Sequence, residues 1–197
     1  MEKAPFHVIV CLVFPLAMAH AQAVDKLNFQ ALTQTFDSSG DTKAQGARVT
    51  VRYPVGWKAQ ESARPKTIRN FLGDYAGVPA TLSLAIEAHG EGLEGTCAQA
   101  SREDWIVGSV APNWTITKAH LFSRNGKPAV KIEIMQVSKV GGFVIHSQMQ
   151  TMSVCHERYM VKAICGTSTV TAELVKSSMQ KIAPLCQKYF EYLTING

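Results

Sequence analysis

Residues 114–165 read WTITKAHLFSRNGKPAVKIEIMQVSKVGGFVIHSQMQTMSVCHERYMVKAIC, and this stretch decides the fold. Four runs rich in β-branched and apolar residues follow one another: Trp114–Phe122, Lys127–Val137, Gly142–Val154 and Arg158–Cys165. Asn125-Gly126 and Gly141-Gly142 separate the first three, and both dipeptides tolerate the positive φ angles of a two-residue hairpin loop. His156-Glu157-Arg158 turns the chain into the fourth. Strands joined so tightly can only pair antiparallel, so the stretch predicts a four-stranded meander. Val130, Ile132 and Ile134 mark the buried face of its second strand.

Working outward, Arg48–Pro54 alternates, with Val49, Val51 and Tyr53 on one side and Thr50 and Arg52 on the other, as a half-buried strand does. Thr67–Leu72 is a shorter candidate strand, and Ala80–Ala88 alternates through Leu82, Leu84 and Ile86. Asp37–Gly46 reads as a polar loop, and His89–Gly95 as a glycine-rich one. Thr96-Cys97-Ala98-Gln99 matches a capping box. Ala98, Trp105, Ile106 and Val110 follow it at helical spacing, and Pro112-Asn113 stops that helix. A last helix is predicted over 170–183, with Val175, Met179 and Ile182 on one stripe and Cys186 continuing it. Pro184 should kink or restart it. Many strands with segregated helices give an α+β class, an antiparallel β-sheet flanked by helices rather than a doubly wound parallel sheet.

The 197 residues carry 20 Lys+Arg against 15 Asp+Glu, with 46% hydrophobic and 18% charged residues, which excludes a disordered chain. Residues 1–23, MEKAPFHVIVCLVFPLAMAHAQA, have the layout of a secretory signal peptide. Lys3 precedes an apolar run from Phe6 to Leu16, and small-x-small sites overlap from Ala17 to Ala23. The run falls short of the roughly 20 residues that a bilayer span needs. Cleavage after Ala23 leaves one domain over 24–197, periplasmic or secreted, and removes Cys11. It also removes one acid and one base, so the net charge stays at +5. Arg48, Arg52, Lys58, Arg64, Lys66 and Arg69 are the densest basic group. They form no block and are not interleaved with aromatics, so nucleic acid is not an expected partner.

Export leaves Cys97, Cys155, Cys165 and Cys186 in an oxidising compartment, with three possible connectivities. Cys155-His156 is the only close Cys/His pair, so disulfides are favoured over a metal. Cys155 and Cys165 flank a hairpin at different heights, beyond the ~7 Å Cα limit for a bridge. Cys165, at the end of its strand, can meet Cys186 as the last helix folds back, which leaves Cys97 for Cys155. Loops of about 20 and 60 residues so closed each contribute a few kcal/mol.

The stretch Val49-x-Val51-x-Tyr53-Pro54-x-Gly56-Trp57 resembles the opening of the PsbP-like superfamily, which includes the photosystem II extrinsic subunit, DcrB-type lipoproteins and Ran-binding Mog-type proteins. The likeness covers element order over roughly residues 27–193. The resemblance implies an α-β-α sandwich around an antiparallel sheet, and roles in binding, assembly and stabilising larger complexes. It brings no shared catalytic motif. The four mature cysteines depart from the plant subunit, so photosynthetic function is not carried over.

No catalytic, cofactor or metal residue is assigned. Glu87, His89, Glu91 and Glu94 could gather a divalent ion but are read as a solvated acidic loop, and His89–Gly95 fits no phosphate-loop pattern. A site from His120, His146 and His156 would need all three on one face. No G-x-S-x-G elbow is present, and Glu103-Asp104 reads as a solvated helix face. Trp57, Trp105 and Trp114 are taken as core anchors, and Asn113-Trp114-Thr115 is a formal glycosylation sequon. The expected function is therefore an exported, non-enzymatic protein-binding or accessory module whose partner is another protein. An effector-neutralising (immunity-type) protein is its specialised form. The alternative is a metal- or small-ligand-dependent periplasmic protein, or a cryptic hydrolase, built on Glu87, His89 and Glu91.

Overall fold

A computed structural model describes residues 32–88, Cys97, 113–156 and 158–196. The signal segment, the loop His89–Gly95, the capping box around Thr96 and Gln99, and the middle helix with Trp105 lie outside the described residues, Cys97 excepted. The described strands are β1 (Thr33–Asp37), β2 (Arg48–Pro54), β3 (Lys58–Glu61), β4 (Thr67–Tyr75), β5 (Val78–Ala88), β6 (Trp114–Arg124), β7 (Lys127–Val140), β8 (Phe143–Cys155), β9 (Tyr159–Thr169) and β10 (Thr194–Asn196). Helix α1 spans Ala172–Glu191.

Pairing is antiparallel throughout. A three-stranded sheet runs β1-β2-β10, and a seven-stranded sheet runs β3-β4-β5-β9-β8-β7-β6. The meander β6-β7-β8-β9 is as expected, with left-handed backbone at Asn125-Gly126 and Gly141-Gly142. Its strands run longer than their apolar runs. In particular β9 continues four residues past Cys165, which therefore lies inside the strand and not at its end. Within the stretch Asp37–Gly46, expected as loop, Asp37 ends β1 and Thr42–Ala44 form a 3₁₀ turn whose first turn the Asp41 carboxylate caps. The short strands β3 and β10 also carried no readable alternation. β2 does not join the meander's sheet but pairs with β1 and β10 in a sheet of its own.

One core joins both sheets and the helix. Val49, Val51 and Tyr53 from β2 meet Ile68 and Phe71 from β4, and Leu82, Leu84 and Ile86 from β5. Tyr159, Val161, Ala163 and Cys165 present the other central strand to the same side. Onto these packs α1 through Val175, Met179, Ile182, Leu185, Cys186, Tyr189 and Phe190, all buried. The Thr171 hydroxyl accepts from the Leu174 amide (3.2 Å) and starts the helix. Pro184 neither ends nor restarts it. The ring is exposed, and so is Gln180 four residues earlier, whose carbonyl loses its donor on the solvated side.

The opposite face of the large sheet carries a second cluster of Val130, Ile132 and Ile134 with Trp114, Ile116 and Met149. Apart from the single helical residue Cys97, α1 is the one α-helix among the described residues, and it covers one face. The class is thus α+β with a dominant β component. The helix layer of the expected sandwich is described on one side alone.

Candidate functional site

Glu87 lies near the end of β5, between two lysines. Its carboxylate pairs with Lys66 from the β3–β4 connection and accepts from the Lys162 ammonium of β9 at 3.2 Å. Burial pushes its carboxyl up, but the hydrogen bonds and charges of Lys66 and Lys162 outweigh this and hold it below the ordinary glutamate range. A cation there would compete with two ammonium groups for one carboxylate. His89, Glu91 and Glu94 lie outside the described residues. Among the described residues no group of three His, Cys, Asp or Glu side chains is placed to hold a metal.

The three histidines do not converge. His146 pairs with Val137 and Thr169 at one end of β8, while His156 follows the other end, about 30 Å away along an extended strand. His120 is exposed on β6, stacked against Phe122 at 5.8 Å. Trp57 is buried in the main core, and Trp114 is half-buried in the second cluster.

The cysteines stand in two pairs. Cys165 and Cys186 are joined with Cα atoms 5.4 Å apart, between the middle of β9 and the third quarter of α1. Cys97 and Cys155 are joined with Cα atoms 5.6 Å apart at the end of β8, beside buried Met160.

A cavity of about 340 Å³ opens on the face away from α1, lined by Thr67, Asn70, Thr81, Ser83, Trp114 and Gln136 among others. Its hydroxyls serve one another and their neighbours: Ser83 donates to the Asn70 side-chain oxygen (2.7 Å), and the Ser147 and Ser168 hydroxyls share a hydrogen bond of 2.7 Å. These bonds tie four of the polar side chains in the wall to one another.

The most distinctive surface is the β7–β8 hairpin tip, which no sequence motif announced. β6 starts opposite Gln136 and β9 stops opposite His146. Residues 137–145 therefore continue as a two-stranded ribbon with no described strand beside it, held together by the pairs Ser138–Ile145, Lys139–Val144 and Val140–Phe143. Four of its side chains are apolar and exposed, Val137 at 55%, Val140 at 62%, Phe143 at 70% and Val144 at 41%, with Lys139 exposed among them. The signal available in the sequence was length, since apolar residues flank Gly141-Gly142 well beyond what the shorter neighbouring strands can cover.

Compared with known proteins, the chain matches no family model and no curated protein. Among solved structures it is similar to the solution structure of cyanobacterial PsbP (CyanoP) from Synechocystis sp. PCC 6803, with a TM-score of 0.52 and 12% identity over 84% of this chain and 94% of that one. A looser likeness, at a TM-score of 0.49 and 12% identity, is to the crystal structure of LpqN, involved in cell envelope biogenesis of Mycobacterium tuberculosis, covering 86% of this chain and 95% of that one. The meander, the small sheet built on β2 and the terminal helix thus make up a PsbP-like fold.

Proposed function

We propose that this chain is an exported accessory protein that acts by binding another protein, and that the ribbon 137–145 is its contact surface. The observation that carries this reading is the exposure of Val137, Val140, Phe143 and Val144 on one projecting hairpin. Val140 and Phe143 lie on one face of the ribbon and Val137 and Val144 on the other, and an exposed aromatic such as Phe143 is a frequent anchor of protein contacts. The partner surface that fits is an apolar groove wide enough for a two-stranded ribbon. The resemblance to the PsbP-like superfamily, with its binding and assembly roles, points the same way. Neutralisation of an effector is the narrower version of this reading, and it rests on export and small size alone.

The expected export, with one domain over 24–197 in the periplasm or outside the cell, belongs to the same proposal. Its support is the sequence of residues 1–23 and the two cysteine pairs at bridging distance. Within the described residues no helix is long and apolar enough to cross a membrane. A middle helix on the second face, tied down through Cys97, would complete the sandwich that the superfamily resemblance implies.

Two measurements test the proposal. Protein recovered from its native compartment should start near Val24 and yield the peptides Cys97–Cys155 and Cys165–Cys186 on non-reducing mapping; four free thiols would remove the export reading. The double variant V140S/F143S should melt as the wild type does and lose the higher-mass species that the wild type forms in extracts of that compartment. An unchanged mass distribution would remove the ribbon from the contact.

A further inference from the structure

The cavity of about 340 Å³ on the sheet face away from α1 is built from cross-strand rows. Trp114, Gln136, Ser147 and Ser168 stand directly opposite one another on β6, β7, β8 and β9. At the usual strand spacing this row spans about 14 Å. A neighbouring row, Leu72, Thr81, Gly166 and Met149, crosses β4, β5, β9 and β8. The first row offers an indole, a carboxamide and two hydroxyls, whereas the second is apolar except for Thr81. Both rows line the cavity, which therefore sets a polar strip beside a mainly apolar one.

Hydrogen bonds fix some of these groups and leave others open. Ser147 and Ser168 share one bond, and Ser83 donates to Asn70 deeper along the same wall. The Thr81 hydroxyl, the Gln136 carboxamide and the Trp114 indole N–H form no side-chain hydrogen bond among the described residues, and all three side chains are half-buried. Gly166 sets the floor between Thr81 and Met149. A Cβ there would lie 2.4 Å from the Met149 Cγ, so the Met149 side chain occupies the space above the glycine. Arg64, exposed on the β3–β4 connection, is the one charged side chain among the described lining residues.

We propose that this cavity binds a neutral oligosaccharide. Thr81, Gln136 and the Trp114 indole N–H are its hydrogen-bonding contacts, and Leu72, Gly166 and Met149 lie beneath the C–H face of a sugar ring. A pyranose is amphipathic in the same way as the wall, with apolar C–H faces and an edge of hydroxyls. Thr81 and Gln136 each donate and accept, which suits a ligand hydroxyl that does both; a phosphate or carboxylate would use their donors alone. An apolar ligand would strip water from these groups and return no hydrogen bond, at a net cost. The length of the polar row serves more than one ring. None of these residues belongs to the ribbon 137–145, so the site does not depend on the protein-binding role.

The test titrates the purified chain with three neutral trisaccharides, maltotriose, cellotriose and triacetylchitotriose, by calorimetry and by saturation-transfer NMR. At least one should bind saturably. The variant T81V/Q136M keeps the size of both side chains and removes their hydrogen-bonding groups. It should weaken binding by on the order of tenfold, the equivalent of two neutral hydrogen bonds. Trp114→Phe keeps an aromatic ring in the second cluster, removes the indole N–H and should weaken binding by a smaller factor. The variant S177A/Q180M removes similar groups from the exposed face of α1 and should bind as the wild type does. Thermal melting of each variant checks that the fold is intact. Weaker binding in either cavity variant, with S177A/Q180M unchanged, supports the assignment. The proposal is overturned if none of the trisaccharides binds, if both cavity variants bind as the wild type does, or if S177A/Q180M weakens binding equally.

Discussion

Trp57 closes the corner that follows β2, and its ring leaves no room over the backbone of β4. A Cβ added to Gly73 would lie 2.6 Å from three ring atoms, closer than any real contact. The Gly56 backbone at φ 83° turns the chain so that this ring reaches the core. Trp57→Ala should therefore cost roughly 3–5 kcal/mol in a denaturant titration, the range for emptying a large aromatic from a core. Gly73→Ala should cost about 1–3 kcal/mol by overpacking, and a neutral result would mean that the ring is not held there. Tyr-Pro-x-Gly-Trp was readable as a corner in the sequence, but Gly73 was not, because nothing local to Phe71-Leu72-Gly73 says which ring lies across it.

Glu87 makes the second prediction at this scale. Its carboxyl is held below its unfolded value, so its contribution to stability is complete above about pH 4.3 and is lost as pH falls through the folded value. Glu87→Gln should be less stable than the wild type near pH 7, and the gap should be smaller near pH 3. A gap of the same size at both pH values would show that Lys66 and Lys162 contribute nothing through charge. The sequence placed Glu87 at a strand end with acidic neighbours. Its two lysine partners come from 21 and 75 residues away, and no spacing rule reaches that far.

Among the elements, α1 shows how tertiary packing overrides a local breaker. The stripe Val175, Met179, Ile182 and Cys186 was legible, yet the helix does not end before Pro184 but runs to Glu191. Leu185, Tyr189 and Phe190 bury enough apolar surface beyond the proline to hold the last two turns in register. Pro184→Ala should restore a donor for the Gln180 carbonyl and stabilise the protein by about 1–2 kcal/mol, read from the denaturant midpoint. A loss of stability would mean that the proline's rigidity in the unfolded chain outweighs the missing bond. The meander was legible because each turn carries its own glycine or asparagine chemistry. β1, β3 and β10 were not, since strands of three to five residues on sheet edges have neither length nor alternation to show. The separation of β2 into a second sheet depends on β10, more than 140 residues away, and is likewise invisible locally.

Over the whole molecule, the two ends of the large sheet differ in character. One carries the apolar ribbon around Gly141-Gly142, and the other the β8–β9 turn, beside a cleft lined by Arg48, His156, Arg158 and Tyr159 among others. The core between them is tied by Cys165–Cys186, which binds the helix to the central strand, so both ends project from one rigid frame. Neither surface follows from composition, because the net charge of +5 and the 46% hydrophobic content say how much of each there is and not where it lies. The central claim is that the ribbon meets a protein partner. A photoreactive residue at position 143, introduced in the native host and illuminated in cells, tests it most directly. A discrete covalent adduct should form from position 143 and also from 140, and should be absent from Thr115 on the β6 edge and from Lys176 on α1. Equal labelling at all four positions, or no adduct at 143, would contradict the account.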